Sequence, residues 1–140
     1  MRNSDGNWIR GFSRSMGTCS SLMAKIWALK DGLCLAKELG FSSIYVEVDV
    51  ELVVGLLFNP SCVNLVMEPP LFDCRNLLQD FTNPIERHVF REVNQCADAL
   101  ANLGLHLNSS FVTFVDPSPM VEDLLAFDKV ELYCTRMICG

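Results

Sequence analysis

Residues Ile85 to Gly104, IERHVFREVNQCADALANLG, decide how the rest of the chain is read. Ile85, Arg87, Val89 and Arg91 alternate with Glu86, His88, Phe90 and Glu92, the period-2 signature of a strand. Asn94 follows as a helix N-cap, because its side-chain oxygen can accept from an unpaired N–H of the first turn. Ala97, Leu100, Ala101 and Leu103 then recur at helical spacing, and Gly104 reads as the C′ stop. A strand therefore runs into a short helix carrying one acid, Asp98, near its start. The positive end of a helix dipole favours an ionised carboxylate there. An acid in that place serves the dipole more readily than it serves a metal, so Asp98 alone decides nothing.

Moving toward the amino terminus, Ile44 to Asp49 (IYVEVD) is rich in β-branched residues and reads as a buried strand. Asp49 ends it, just before a helix over about Val50 to Phe58 that Asn59-Pro60 closes. In open α/β sheets ligands bind at the carboxyl ends of strands, which makes Asp49 an N-cap, a site carboxylate, or both. The longest helix spans about Leu22 to Leu39, with capping residues in Thr18-Cys19-Ser20-Ser21 and Gly40 at its end. Leu22, Ile26, Leu29, Leu33 and Ala36 form its buried stripe, and Lys25 lies at the edge of that stripe. By spacing alone Lys25 is a solvated flank residue.

The chain opens on a turn, Asn3 to Asn7, and a short strand at Trp8 to Phe12, as if in the second half of a hairpin. Residues Asn59 to Pro70 read as a loop and Leu71 to Phe81 as a helix, broken by Thr82-Asn83-Pro84. Beyond Gly104 come an extended piece, Phe111 to Val115, and a short helix, Met120 to Phe127.

Composition bounds the function. A chain of 140 residues that is half hydrophobic and 20% charged is a folded domain, not a disordered one. No apolar run reaches the length of a membrane span and no signal peptide begins the chain, so the expected location is intracellular, cytoplasmic or nuclear. Seven cysteines without a Cys-x-x-Cys pair fit reduced thiols better than a disulfide frame or a zinc site. The net charge of −6 argues against a free-standing nucleic-acid binder, since phosphate contacts supply most of that affinity. Nucleophile-elbow, P-loop and dinucleotide motifs are all missing. The pair Asp49 and Asp98 is left, each at a strand–helix junction.

Three segments, LMAKIWALKDGLCLAKELG, IYVEVDVELVV and HVFREVNQCADALANLG, occur in that order. Together they resemble the reverse-transcriptase-like ribonuclease H domain of plant retroelement-derived proteins. The opening NSDGNWIRGFSRSMGTCSSL resembles that family's second hairpin strand and the entry to its first helix. The tail FVTFVDPSPMVEDLLAFD is similar to its C-terminal extension. The resemblance implies an α/β fold with a mixed sheet flanked by helices. It divides the chain into a ribonuclease H-like domain, 1–104, and an extension, 105–140. It also implies an N-terminal truncation, with the first strand and most of the second missing. The Ile44 to Val48 strand would then have an open apolar edge and the Trp8 strand no neighbour, and such an edge would invite self-association.

The implied chemistry is hydrolysis of the RNA strand of an RNA–DNA hybrid by two Mg²⁺ ions held on carboxylates. Carried over by position, Asp49 and Asp98 match two of the family's metal-binding acids. His88, Arg91 and Asn94 fall where support of the site is expected. The helical Glu of the family is replaced by Lys25, in Ala24-Lys25-Ile26-Trp27-Ala28-Leu29. The family's first catalytic Asp has no counterpart here.

Two unit charges about 4 Å apart near a protein surface interact by roughly 4 kcal/mol. An ammonium in place of a carboxylate therefore opposes metal binding and is expected to pair with Asp49 or Asp98. The expected outcome is a ribonuclease H-like domain impaired in hydrolysis. The alternatives are an inactive remnant serving as a protein-interaction module or without selected function, and another metal-dependent nuclease recruiting Glu47 or Glu92.

Overall fold

The computed structural model describes residues 1–49, 51–59, 65–82, 84–88 and 95–131, with the backbone alone for 85–88 and 128–131. It contains two compact units, Thr18–Val89 and Met1–Gly17 with Phe90–Gly140.

In the unit Thr18–Val89, helix α1 runs over Ser21–Glu38. The Ser20 hydroxyl caps it by accepting from the Met23 N–H at 3.1 Å. Gly40, at φ +79°, turns the chain out. The Gly40 N–H donates to Lys37 O and the Phe41 N–H to Ala36 O, the two bonds of a Schellman motif. Ile26, Leu29, Leu33 and Ala36 are buried as the spacing predicts; Leu22 is only half-buried, while Leu35 and Asp31 are also buried.

Strand β2 (Tyr45–Val48) pairs in parallel with β3 (Ile85–His88), Tyr45 opposite Ile85 and Val48 opposite His88. Helix α2 occupies Glu51–Phe58 and α3 occupies Glu68–Leu78. The sequence predicts α3 from Leu71, but Pro69 and Pro70 lie inside its first turn. A missing N–H is harmless there, because first-turn donors have no intrahelical partner. The helix ends at Leu78, and the turn after it still buries Phe81.

Helices α1 and α3 run side by side in the same sense. Lys30 bonds Asp73 within α3 and Lys37 bonds Asp80 in the turn just after it, both at 2.6 Å, so seven residues along α1 match seven along the other segment. The Arg75 guanidinium donates to Leu57 O at 3.0 Å and Leu56 O at 2.8 Å, satisfying carbonyls at the end of α2.

The second unit starts with Met1 to Arg10 folded back on itself. Asn3 Oδ1 accepts from the Asp5 and Asn7 N–H groups, and Gly6 takes φ +77°. Arg2 bridges Trp8 in antiparallel fashion, so Met1 and Arg2 supply the first arm of the hairpin whose second half the sequence suggests. The strand itself, β1, is Gly11–Arg14, later than the predicted Trp8 to Phe12. Trp8 lies outside that ladder, its indole over Gly11 and donating to Val115 O at 2.9 Å.

Helix α4 (Gln95–Gly104) follows, then β4 (Phe111–Phe114), then α5 (Pro119–Glu131). β1 pairs antiparallel with β4, Gly11 opposite Phe114 and Arg14 opposite Phe111. The expectation that this first strand lacks a neighbour is therefore corrected: the segment beyond Gly104 supplies one. Ala99 of α4 packs with Val121 and Leu125 of α5, and Trp8, Cys96 and Leu100 close over them. The fold is mixed α/β, as expected, and among the described residues its strands form two two-stranded sheets. No helix among the described residues is long and apolar enough to cross a membrane.

Candidate functional site

Asp49 stands at the carboxyl end of β2, where the chain bends before α2. The parallel register brings the backbone of His88, the last residue of β3, to the same edge of the sheet. Such an edge presents strand ends to ligands. Asp49 lies two residues before the first residue of α2. Lys25, in the second turn of α1, bonds it: Nζ donates to Asp49 Oδ1 at 2.6 Å.

The Asp49 side chain is 5% exposed and that of Lys25 28% exposed. A carboxylate so far withdrawn from water needs a counter-charge, and a charge-assisted hydrogen bond supplies it. Lys25 is thus no solvated flank residue. It takes up one of the two acids expected as its partners.

Asp98 lies in the first turn of α4, half-buried, in the other unit. Its helix is held by shape. The Ser13 hydroxyl donates to Leu100 O at 2.6 Å, and the Gly104 backbone meets the Arg14 carbonyl so closely that a Cβ would stand 2.6 Å from it. The inward positions of α4 are Cys96, Ala99, Leu100, Leu103 and Gly104, whereas Ala97 and Ala101 face out. This rotates the predicted stripe and gives Gly104 another role. It is the last helical residue, without positive φ, and it is small because β1 crosses there. Arg91, Asn94 and Glu92 lie outside the described residues, as does the side chain of His88.

Magnesium requires hard oxygen donors in near-octahedral array. Among the described residues no group of three or more His, Cys, Asp or Glu side chains is placed to hold a metal. Asp49, the best placed of the predicted ligands, already accepts from an ammonium. Among the described residues the donor set therefore does not fit a divalent ion as it stands, because the Lys25 ammonium is bonded to Asp49.

The family model described as reverse transcriptase-like matches residues 1–104. A protein of Arabidopsis thaliana, named "Putative ribonuclease H protein", is 33% identical over 114 residues, 81% of this chain. The chain spans only 18% of that protein's length. Ribonuclease H1 from the halophilic archaeon Halobacterium salinarum is 32% identical with a TM-score of 0.60, over 65% of this chain and 70% of that one. The N-terminal ribonuclease H domain of a Mycobacterium tuberculosis protein is 26% identical with the same TM-score, over 65% and 66%. On these matches the chain belongs to the reverse transcriptase-like family of ribonuclease H-like domains.

Proposed function

We propose that this chain is a nucleic-acid-binding ribonuclease H-like domain, directed to RNA–DNA hybrids, in which hydrolysis is disabled. The observation that carries this reading is the 2.6 Å contact between Lys25 Nζ and Asp49 Oδ1. Two-metal hydrolysis needs the acids to be free for cations that activate water and steady the leaving oxygen. An ammonium bonded to one of those acids repels a divalent ion and withholds a ligand from it. Family membership supports the hybrid as ligand class, because a ribonuclease H-like surface can be kept after its chemistry is lost.

The test is cleavage of a labelled hybrid by the purified chain with Mg²⁺ or Mn²⁺. No product above a protein-free control is expected. Metal-dependent cleavage that Asp49→Asn removes would overturn the reading.

A second reading, an interaction module that binds protein instead, draws on the negative net charge and on exposed apolar residues. Leu65 and Val66 are 83% and 73% exposed, and Phe58 is 65% exposed. Under this reading the chain binds no hybrid at low salt.

A further inference from the structure

We propose that Lys25 is a metal-independent contact for a phosphodiester, its ammonium meeting a phosphate oxygen of the bound nucleic acid directly. This rests on the nucleic-acid reading above and names how the ligand is held. An ammonium has three N–H donors, and among the described residues Asp49 accepts from one. With 28% of the Lys25 side chain exposed against 5% for Asp49, the cation is the partner that solvent, and hence a ligand, can reach. The pair sits at the carboxyl end of the parallel strands, the end at which ligands bind in open α/β sheets.

Asp49 holds the ammonium in place, so little side-chain freedom is left to lose when a phosphate arrives. A cation built into the chain offers its charge to the phosphate whether or not metal is present.

This arrangement inverts the expected effect of one substitution. In a metal-held site, Asp49→Asn removes a ligand of the ion and weakens nucleic-acid binding. Here Asp49→Asn removes the charge that neutralises Lys25, leaving a full positive charge for the phosphate, and binding tightens.

The experiment is fluorescence anisotropy of a short labelled RNA–DNA hybrid with the full chain, titrated over a range of salt in EDTA and again in Mg²⁺. Equal affinity in EDTA is expected. Lys25→Gln should weaken binding about three- to ten-fold and lower the salt slope by about one. Lys25→Arg should restore both, and Asp49→Asn should bind more tightly than the parent. Circular dichroism melts confirm that each variant is folded.

Binding that EDTA abolishes, an unchanged salt slope for folded Lys25→Gln, or weaker binding by folded Asp49→Asn each overturns the inference while leaving hybrid binding intact. If the parent chain binds no hybrid at all, the functional reading falls and this one with it. The EDTA comparison needs no variant, so a misfolded mutant does not rescue the idea.

Discussion

The two candidate carboxylates are positioned by opposite means. Asp49 is held by a charge, the Lys25 ammonium at 2.6 Å, in a unit whose two long helices are also tied by Lys–Asp contacts. Asp98 is carried on a helix held by shape, with Gly104 against the Arg14 backbone and Ser13 bonded to Leu100 O. Contacts by shape tolerate no added atom, whereas contacts by charge tolerate substitution in proportion to their exposure to water. The two sites should therefore fail differently.

The largest effect belongs to the shape-held side. Gly104→Ala would put a Cβ 2.6 Å from a backbone oxygen, which no side-chain rotation relieves. A loss of about 3 kcal/mol is expected from such overpacking, read as a lower urea midpoint. Full retention of stability would show that α4 and β1 can separate freely.

On the charge-held side, Lys25→Ala leaves the nearly buried Asp49 without this counter-charge. Loss of a fully buried partner costs about 3–5 kcal/mol, and the partial exposure of Lys25 reduces this to about 2 kcal/mol. Lys25→Glu should destabilise further, with recovery on adding Mn²⁺ if metal binding is thereby restored. A melt insensitive to both changes would mean that the pair contributes nothing to the fold.

Ser13→Ala, which removes a buried donor to Leu100 O, should cost about 1 kcal/mol by the same urea titration.

The smallest effect is alkaline. The hydrogen bond and attraction of Asp80 raise the pKa of Lys37 above its ordinary 10.5, so the folded chain holds that proton more tightly than the unfolded one. This contribution is whole below 10.5 and is lost as pH rises through the folded value. Burial, with nearby Asp31, raises the Cys34 thiol above 9.0, and its stabilising proton is likewise lost on the alkaline side. Unfolding midpoints should decline through that range, and less so in Lys37→Gln. An identical decline in Lys37→Gln would remove Lys37 from the account.

Much of the fold was legible in the chain because it is locally encoded. Ser20 and Gly40 delimit α1 through their own hydroxyl and φ, and the β-branched run at Ile44 to Val48 reads as strand without any partner. The start of α3 is ambiguous in the sequence because two prolines signal a loop and a first helical turn equally well. The face of α4 is ambiguous in the sequence because alanine is small enough to sit on either side of a helix, and Ala97 and Ala101 take the outer one.

The order of residues alone shows a lysine at position 25, where the family resemblance leads one to expect a glutamate, and an aspartate directly after the run Ile44 to Val48; both are facts of one dimension. That Lys25 reaches Asp49 across 24 residues, that β4 pairs with β1, and that Gly104 is small for a passing backbone follows from packing alone. Side-chain identity travels with the chain, but a contact depends on where two distant stretches are packed. The same glycine or lysine signal fits several such packings.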